Sequence, residues 1–212
     1  MKLLIPISIV ALSVASLLAA DFDFNDTPTG AEPVEGCRGR FDIVEVSEGD
    51  HALRVYADSK DDGGRARIAL RADKGFSGSF RLQVDCRLAK ASAAGRLFAI
   101  SDWNGNQQLL RVDATGGKRE LKTSSFENGK SINHKLCDYK PGEWLTFWLV
   151  VDRETQTYSL SVRPRGSRAK ATILKDLKLD PNVKNAIFFD SLTWKGQGAY
   201  AFELDNIIAR PN

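Results

Sequence analysis

The run Phe80-Arg81-Leu82-Gln83-Val84-Asp85-Cys86-Arg87-Leu88 alternates apolar and polar residues without a break. A strand sends successive side chains to opposite faces, so this run has one face for a core and one for water, a pattern no helix satisfies. The same period recurs along the chain. Ala52–Ala57, Arg65–Ala72, Ser79–Leu88, Arg96–Ser101, Gln107–Asp113, Lys118–Lys122, Trp144–Asp152, Gln156–Arg163, Ala186–Phe189 and Tyr200–Ala209 all carry strand patterning. Asp21-Phe22-Asp23-Phe24 and the closing run Phe202-Glu203-Leu204-Asp205-Asn206-Ile207-Ile208 bracket them as a first and a last strand that pair. Asn104-Gly105 and Gly116-Gly117 separate strands as primed hairpin turns do, and Asp152-Arg153-Glu154-Thr155 makes a longer hairpin loop. Ala171–Leu179 is short for a helix and reads as an edge strand or a single turn. About ten strands over about 190 residues is the density of an all-β, two-sheet antiparallel sandwich.

Residues 1–20 are of a different kind. Met1-Lys2 supplies a basic start, Leu3 to Val10 an apolar stretch broken by Pro6, and Ala19-Ala20 a small-residue end, which together read as a secretory signal. The stretch is short for a membrane span. The expected domain is therefore 21–212, one sandwich, exported to the periplasm or beyond. Loss of Lys2 takes the formal net charge from +3 to +2, too little to argue for nucleic acid, and no other run predicts a membrane span. Of the three cysteines, Cys86 alternates with core residues and behaves as a small hydrophobe. Cys37 and Cys137 sit in turn-rich stretches, and in an oxidising compartment they are the expected disulfide.

The opening Phe22-Asp23-Phe24-Asn25-Asp26, the run Gly49-Asp50-His51-Ala52-Leu53-Arg54-Val55, the run Gly142-Glu143-Trp144 through Val151-Asp152 and the Phe202–Ile208 ending together resemble the concanavalin A-like lectin/glucanase superfamily. That resemblance implies a jelly roll of two curved antiparallel sheets, with carbohydrate the commonest ligand. It also supplies enzyme signatures to look for. Glucanases of this type align acids as Glu-x-Asp-x-x-Glu. The nearest match here, Glu203-Leu204-Asp205, lacks the third acid and reads as a solvent-facing pair on a terminal strand. The Gln-x-His and Lys-Ala-Gly strands of alginate-lyase relatives do not occur, and His51 and His134 sit in a strand entry and a loop. No phosphate loop, nucleophile elbow or zinc spacing is present.

Binding chemistry is better represented. Arg65, Arg67 and Arg71 share one face of their strand, as do Arg81, Gln83, Asp85 and Arg87 of theirs. If the two strands lie in one sheet they form a polar trough whose guanidinium forks suit uronate or sulfate. Without such a trough, they are solvated sheet faces with weak ion pairs. Trp103 and Trp194, beside glycine in loops, are candidate sugar-stacking platforms, whereas Phe147 and Trp148 read as core because their strand is apolar on both faces. No motif calls for a cofactor. The superfamily resemblance places a structural calcium where terminal strands meet, with Asp21, Asp23, Asp26 and Asp205 as the available oxygens and Asp23 and Asp205 the proposed ligands. The sequence thus points to an exported carbohydrate-binding sandwich, with acidic polysaccharide among its candidate ligands. A polysaccharide-cleaving enzyme, with Asp85 or Glu203 as acid near Arg81, and a structural cell-surface or matrix domain remain as alternatives.

Overall fold

The computed structural model describes residues 21–30, 40–57, 64–70, 75–89, 94–102, 107–193 and 200–212. The expected signal residues, Cys37, Arg71, Trp103, the Asn104-Gly105 turn and Trp194 lie outside them. The described residues form two antiparallel sheets and no helix, so no helix among them is long and apolar enough to cross a membrane.

One sheet contains β2 (Phe41–Ser47), β3 (Asp50–Ala57), β5 (Phe80–Leu88), β10 (Trp144–Asp152), β11 (Thr157–Pro164), β12 (Thr172–Lys178) and β14 (Tyr200–Pro211), in the order β12-β11-β10-β5-β14-β3-β2; the short β1 (Asp21–Phe22) also pairs with β14. The other runs β4 (Arg65–Ala69), β13 (Phe188–Thr193), β6 (Gly95–Ser101), β7 (Gln108–Thr115), β8 (Glu120–Glu127), β9 (Lys130–Asp138) in the order β4-β13-β6-β7-β8-β9. The expected bracket is real: Asp21 pairs with Ile208 and Phe22 with Ile207. The segment read as an edge strand or a turn is the edge strand β12. The hairpin loop after Asp152 falls where the sequence put it, with Asp152 Oδ1 accepting from the Glu154 and Thr155 amides, whereas the turn at Gly116-Gly117 is not a two-residue one but spans 116–119, with Thr115 paired to Glu120.

Alternation builds the core. Phe80, Leu82, Val84, Cys86 and Leu88 of β5 point inward and are buried, as are Phe147 and Leu149 of β10; Ile68, Phe98, Ile100, Val112 and Phe189 meet them from the other sheet. Phe98 stacks on Phe189 at 5.5 Å and meets Phe147 edge-on at 5.3 Å, so one ring links the two sheets. Tyr158 makes a polar link. Its hydroxyl crosses from β11 to β8, donating to Ser124 O at 2.6 Å and lying 2.7 Å from Thr123 Oγ1, and burial raises its pKa above the ordinary phenol value. At Gly95 φ is +152°, and a Cβ would lie 2.6 Å from Leu192 O and against the Phe202 ring, so only glycine lets β6 enter here.

The β10 strand corrects one expectation. Phe147 is core, but Trp148 is not. Among the described residues no layer of secondary structure covers the outer face of the larger sheet; there Trp144 and Trp148 are half-buried and Val150 is exposed. The prediction from this packing is that Phe98→Ala lowers stability by about 3–5 kcal/mol. Tyr158→Phe costs about 1–2 kcal/mol, both read by urea denaturation, and equal losses would mean the aromatic link carries no special share.

Candidate functional site

Because Arg65–Ala69 and Phe80–Leu88 bury their apolar alternates in the same core from opposite sides, their polar alternates point in opposite directions. The single trough is therefore not formed. Arg65 and Arg67 lie on the outer face of the six-stranded sheet, at its edge. Arg81, Gln83, Asp85 and Arg87 lie on the outer face of the eight-stranded sheet, near its centre.

On the six-stranded face the register sets Arg67 opposite Asp190, Asp190 opposite Ala99, and Ala99 opposite Arg111; the next row runs Arg65, Leu192, Arg96, Asp113, Lys122, Lys135 across all six strands. Asp190 is only 3% exposed. Its Oδ1 accepts from Arg65 Nη2 at 2.8 Å and Arg67 Nε at 3.0 Å, and its Oδ2 accepts from the Ser101 hydroxyl. The Arg67 guanidinium also sits 4.7 Å from the Phe188 ring centre. Asp113 takes Arg111 at 2.9 Å and Arg96 at 3.7 Å. Burial pushes Arg96 below its usual pKa, with Asp113 opposing, and pushes Asp113 upward against the pull of Arg111 and Arg96. Four guanidiniums thus face two carboxylates, and the face is electropositive.

The eight-stranded face is balanced instead. A row runs Trp144, Arg87, Glu203, Arg54, Asp42 across five strands. Glu203, 1% exposed, accepts from Arg54 Nη2 at 2.9 Å on one oxygen and from Arg87 Nε on the other. One pleat away Asp85 lies directly opposite Asp205. Arg165 bridges them, with Nε 3.2 Å from Asp85 Oδ2 and Nη1 3.2 Å from Asp205 Oδ2, and the Asn206 amide donates to both at 2.9 Å. The guanidiniums of Arg87 and Arg165 lie 4.9 and 5.4 Å from the Trp144 ring centre. Glu203 and Asp205 are consequently not a solvent-facing pair. Their strand is terminal in the chain but internal in the sheet, so its outward acids are flanked by β3 and β5 and covered by arginines.

No family model matches the chain, and no curated protein matches it by sequence. Solved structures do match in shape. A sialidase superposes over 92% of this chain and 18% of its own at 12% identity, with TM-score 0.65. The catalytic domain of a glycoside hydrolase family 131 protein from Coprinopsis cinerea covers 90% of this chain and 92% of its own at 10% identity, TM-score 0.59. The lectin UEA-II, solved with galactose, covers 91% and 97% at 11% identity, TM-score 0.59. The fold they share is a two-sheet antiparallel jelly roll.

Within this jelly roll the remaining expected residues fall as follows. Asp23 accepts from the Asn25 amide at 3.3 Å and Asp205 is engaged by Arg165 and Asn206, and among the described residues no three His, Cys, Asp or Glu side chains gather as a metal site. Cys137 is half-buried with a free thiol whose pKa burial raises to about 11. Sequence reasoning missed Asp190, Arg96, Arg111 and Asp113. The last three were legible as polar alternates of recognised strands. Asp190 follows Phe188-Phe189 directly, and its charge in an apolar run was the signal that strand continued while something paired with it.

Burial, with Asp50 and Asp85 nearby, lifts the Asp205 carboxyl to about 6 against the pull of the Asn206 amide and Arg165. The folded chain therefore holds this proton more tightly than the unfolded chain, whose value is ~3.9, and the stabilisation is complete below that value and lost as pH rises through about 6. The Tm difference, Asp205→Asn minus wild type, is expected to be more positive near neutral pH than near ~pH 4. A difference flat with pH contradicts the assignment.

Proposed function

We propose that this protein is an exported glycan-binding domain whose contact surface is the outer face of the six-stranded sheet, and that its ligands are acidic polysaccharides. The observation carrying this reading is the surplus of guanidinium on one outer sheet face: Arg65, Arg67, Arg96 and Arg111 against Asp190 and Asp113. Planar forks held at fixed positions suit the two oxygens of a uronate or sulfate. Asp190, itself buried, keeps Arg65 and Arg67 in place before any ligand arrives, which reduces the ordering cost of binding. Lys122 and Lys135 extend the positive row to the far edge, with Glu120 between them at 3.4 Å from each.

The same geometry favours binding over cleavage. Retaining and inverting glycosidases need two carboxyl groups free to face the scissile bond. Here Asp190 and Glu203 each have both oxygens committed to orienting groups. The solved neighbours include a lectin with galactose and a glycoside hydrolase catalytic domain, so the fold is compatible with either, and the committed carboxylates tip the choice. Export rests on residues 1–20 as a signal.

The test is a glycan array with the exported protein, run beside reducing-sugar and unsaturated-uronate assays. Uronate- or sulfate-bearing chains should bind without turnover. Arg65→Ala and Arg111→Ala should each weaken binding by about 10-fold or more, as loss of a charge-assisted contact does, and added salt should weaken it further. Turnover would move the reading to an enzyme; no bound glycan at all would move it to a structural domain.

A further inference from the structure

The opposite face of the sandwich carries an opening that the arginine-rich face does not use. On the outer surface of the eight-stranded sheet, Trp148 and Val150 of β10, Gln83 and Arg81 of β5, and Ile208 and Arg210 of β14 line a depression of about 650 Å³. That volume is within the range of small-ligand pockets. The register builds it: Trp148 lies opposite Gln83 and Gln83 opposite Ile208, while one pleat on Val150 lies opposite Arg81 and Arg81 opposite Arg210. Trp148 is held at its polar edge, Nε1 donating to Gln83 Oε1 at 3.1 Å, with the Arg163 guanidinium 4.8 Å from its ring centre. Val150 is 41% exposed, an apolar surface with no cover.

The charges are unusual for a sheet. Like charges directly across a strand pair repel, yet Arg81 and Arg210 are set there. Asp21 relieves Arg210 at 2.9 Å, whereas Arg81 meets only the neutral Asn212 amide oxygen at 2.8 Å, and no carboxylate among the described residues pairs with it or with Arg163. An indole beside apolar side chains, next to guanidiniums lacking counter-charge, fits a ligand with a flat apolar ring face and one anionic edge.

We propose that this depression is a second binding site, for a single hexuronate unit, its ring over Val150 and against the side of Trp148 that Arg163 leaves open, its carboxylate toward Arg81 and Arg210. The site is independent of the six-stranded face. Two sites on opposite faces make the domain bivalent, able to join two acidic glycan chains.

Ligand-observed NMR titration of the exported protein with glucuronate, and with glucose as the neutral counterpart, tests this. Glucuronate should bind at least about 10-fold more tightly than glucose. Arg81→Ala, an exposed change that leaves the core intact, should weaken it by about 10-fold or more, while Arg65→Ala leaves it unchanged. Trp148→Ala should remove binding, and Trp148→Phe, which keeps a ring, should retain part of it. The proposal is overturned if glucuronate does not bind, if Arg81→Ala binds it as wild type does, or if Arg65→Ala abolishes it. Failure of the array experiment on the arginine-rich face leaves this titration unaffected, so the two readings fail separately. Polyuronate solutions should grow turbid with wild type and stay clear with Arg81→Ala; equal turbidity would remove the bivalent role.

Discussion

The last strand of the chain lies in the middle of the larger sheet, and the rest of the structure depends on that placement. β14 sits between β5 and β3 and also holds β1, so neither the sheet nor the core beneath it is complete until the C-terminal residues arrive. Phe202, Leu204, Ile207 and Ala209 bury one side of it in the common core. Such pairing is long-range and slow to form. It also decides the chemistry of the outer face, because an internal strand with Glu203 and Asp205 pointing outward must find cations on both neighbours. Arg54 and Arg87 supply them for Glu203; Arg165, reaching in from beyond β11, supplies one for the Asp85 and Asp205 pair.

Buried carboxylates of this kind are poor sources of stability, since desolvation offsets much of the Coulomb attraction. Their value here is positional. Glu203 joins β3 to β5 across β14, and Asp190 joins β4 to β6 across β13. Each fixes guanidiniums that would otherwise move freely on long side chains. The direction of dependence is that acids inside hold bases outside.

The alternation in β4 and β5 made the sandwich legible, because a period of two with a buried face admits one register. β9 escaped notice for the opposite reason: Lys130-Ser131-Ile132-Asn133-His134-Lys135 is an edge strand exposed along most of its length, and its polar residues on both faces leave no periodic signal. The site was half legible. Arg65, Arg67, Arg81 and Arg87 stood out as polar alternates, but alternation does not say which sheet a strand joins, so two opposite faces read as one. Trp148 misled because an apolar residue on the outer face of a strand looks the same in sequence whether a layer of protein or a lone arginine covers it.

The two outer faces therefore differ in how they balance charge. On the six-stranded side bases outnumber acids, and among the described residues Phe188 under Arg67 is the ring nearest them, so the field of that face is electrostatic and screened by salt. On the eight-stranded side acids and bases nearly cancel, and what is left over is local: two guanidiniums without carboxylates beside a tryptophan whose polar edge is already satisfied. On the next strand Ser161 and Ser159 lie directly opposite Trp148 and Val150, so the apolar surface ends at β10. Apolar side chains beside guanidiniums that no described carboxylate pairs are what set this depression apart from an ordinary wet sheet.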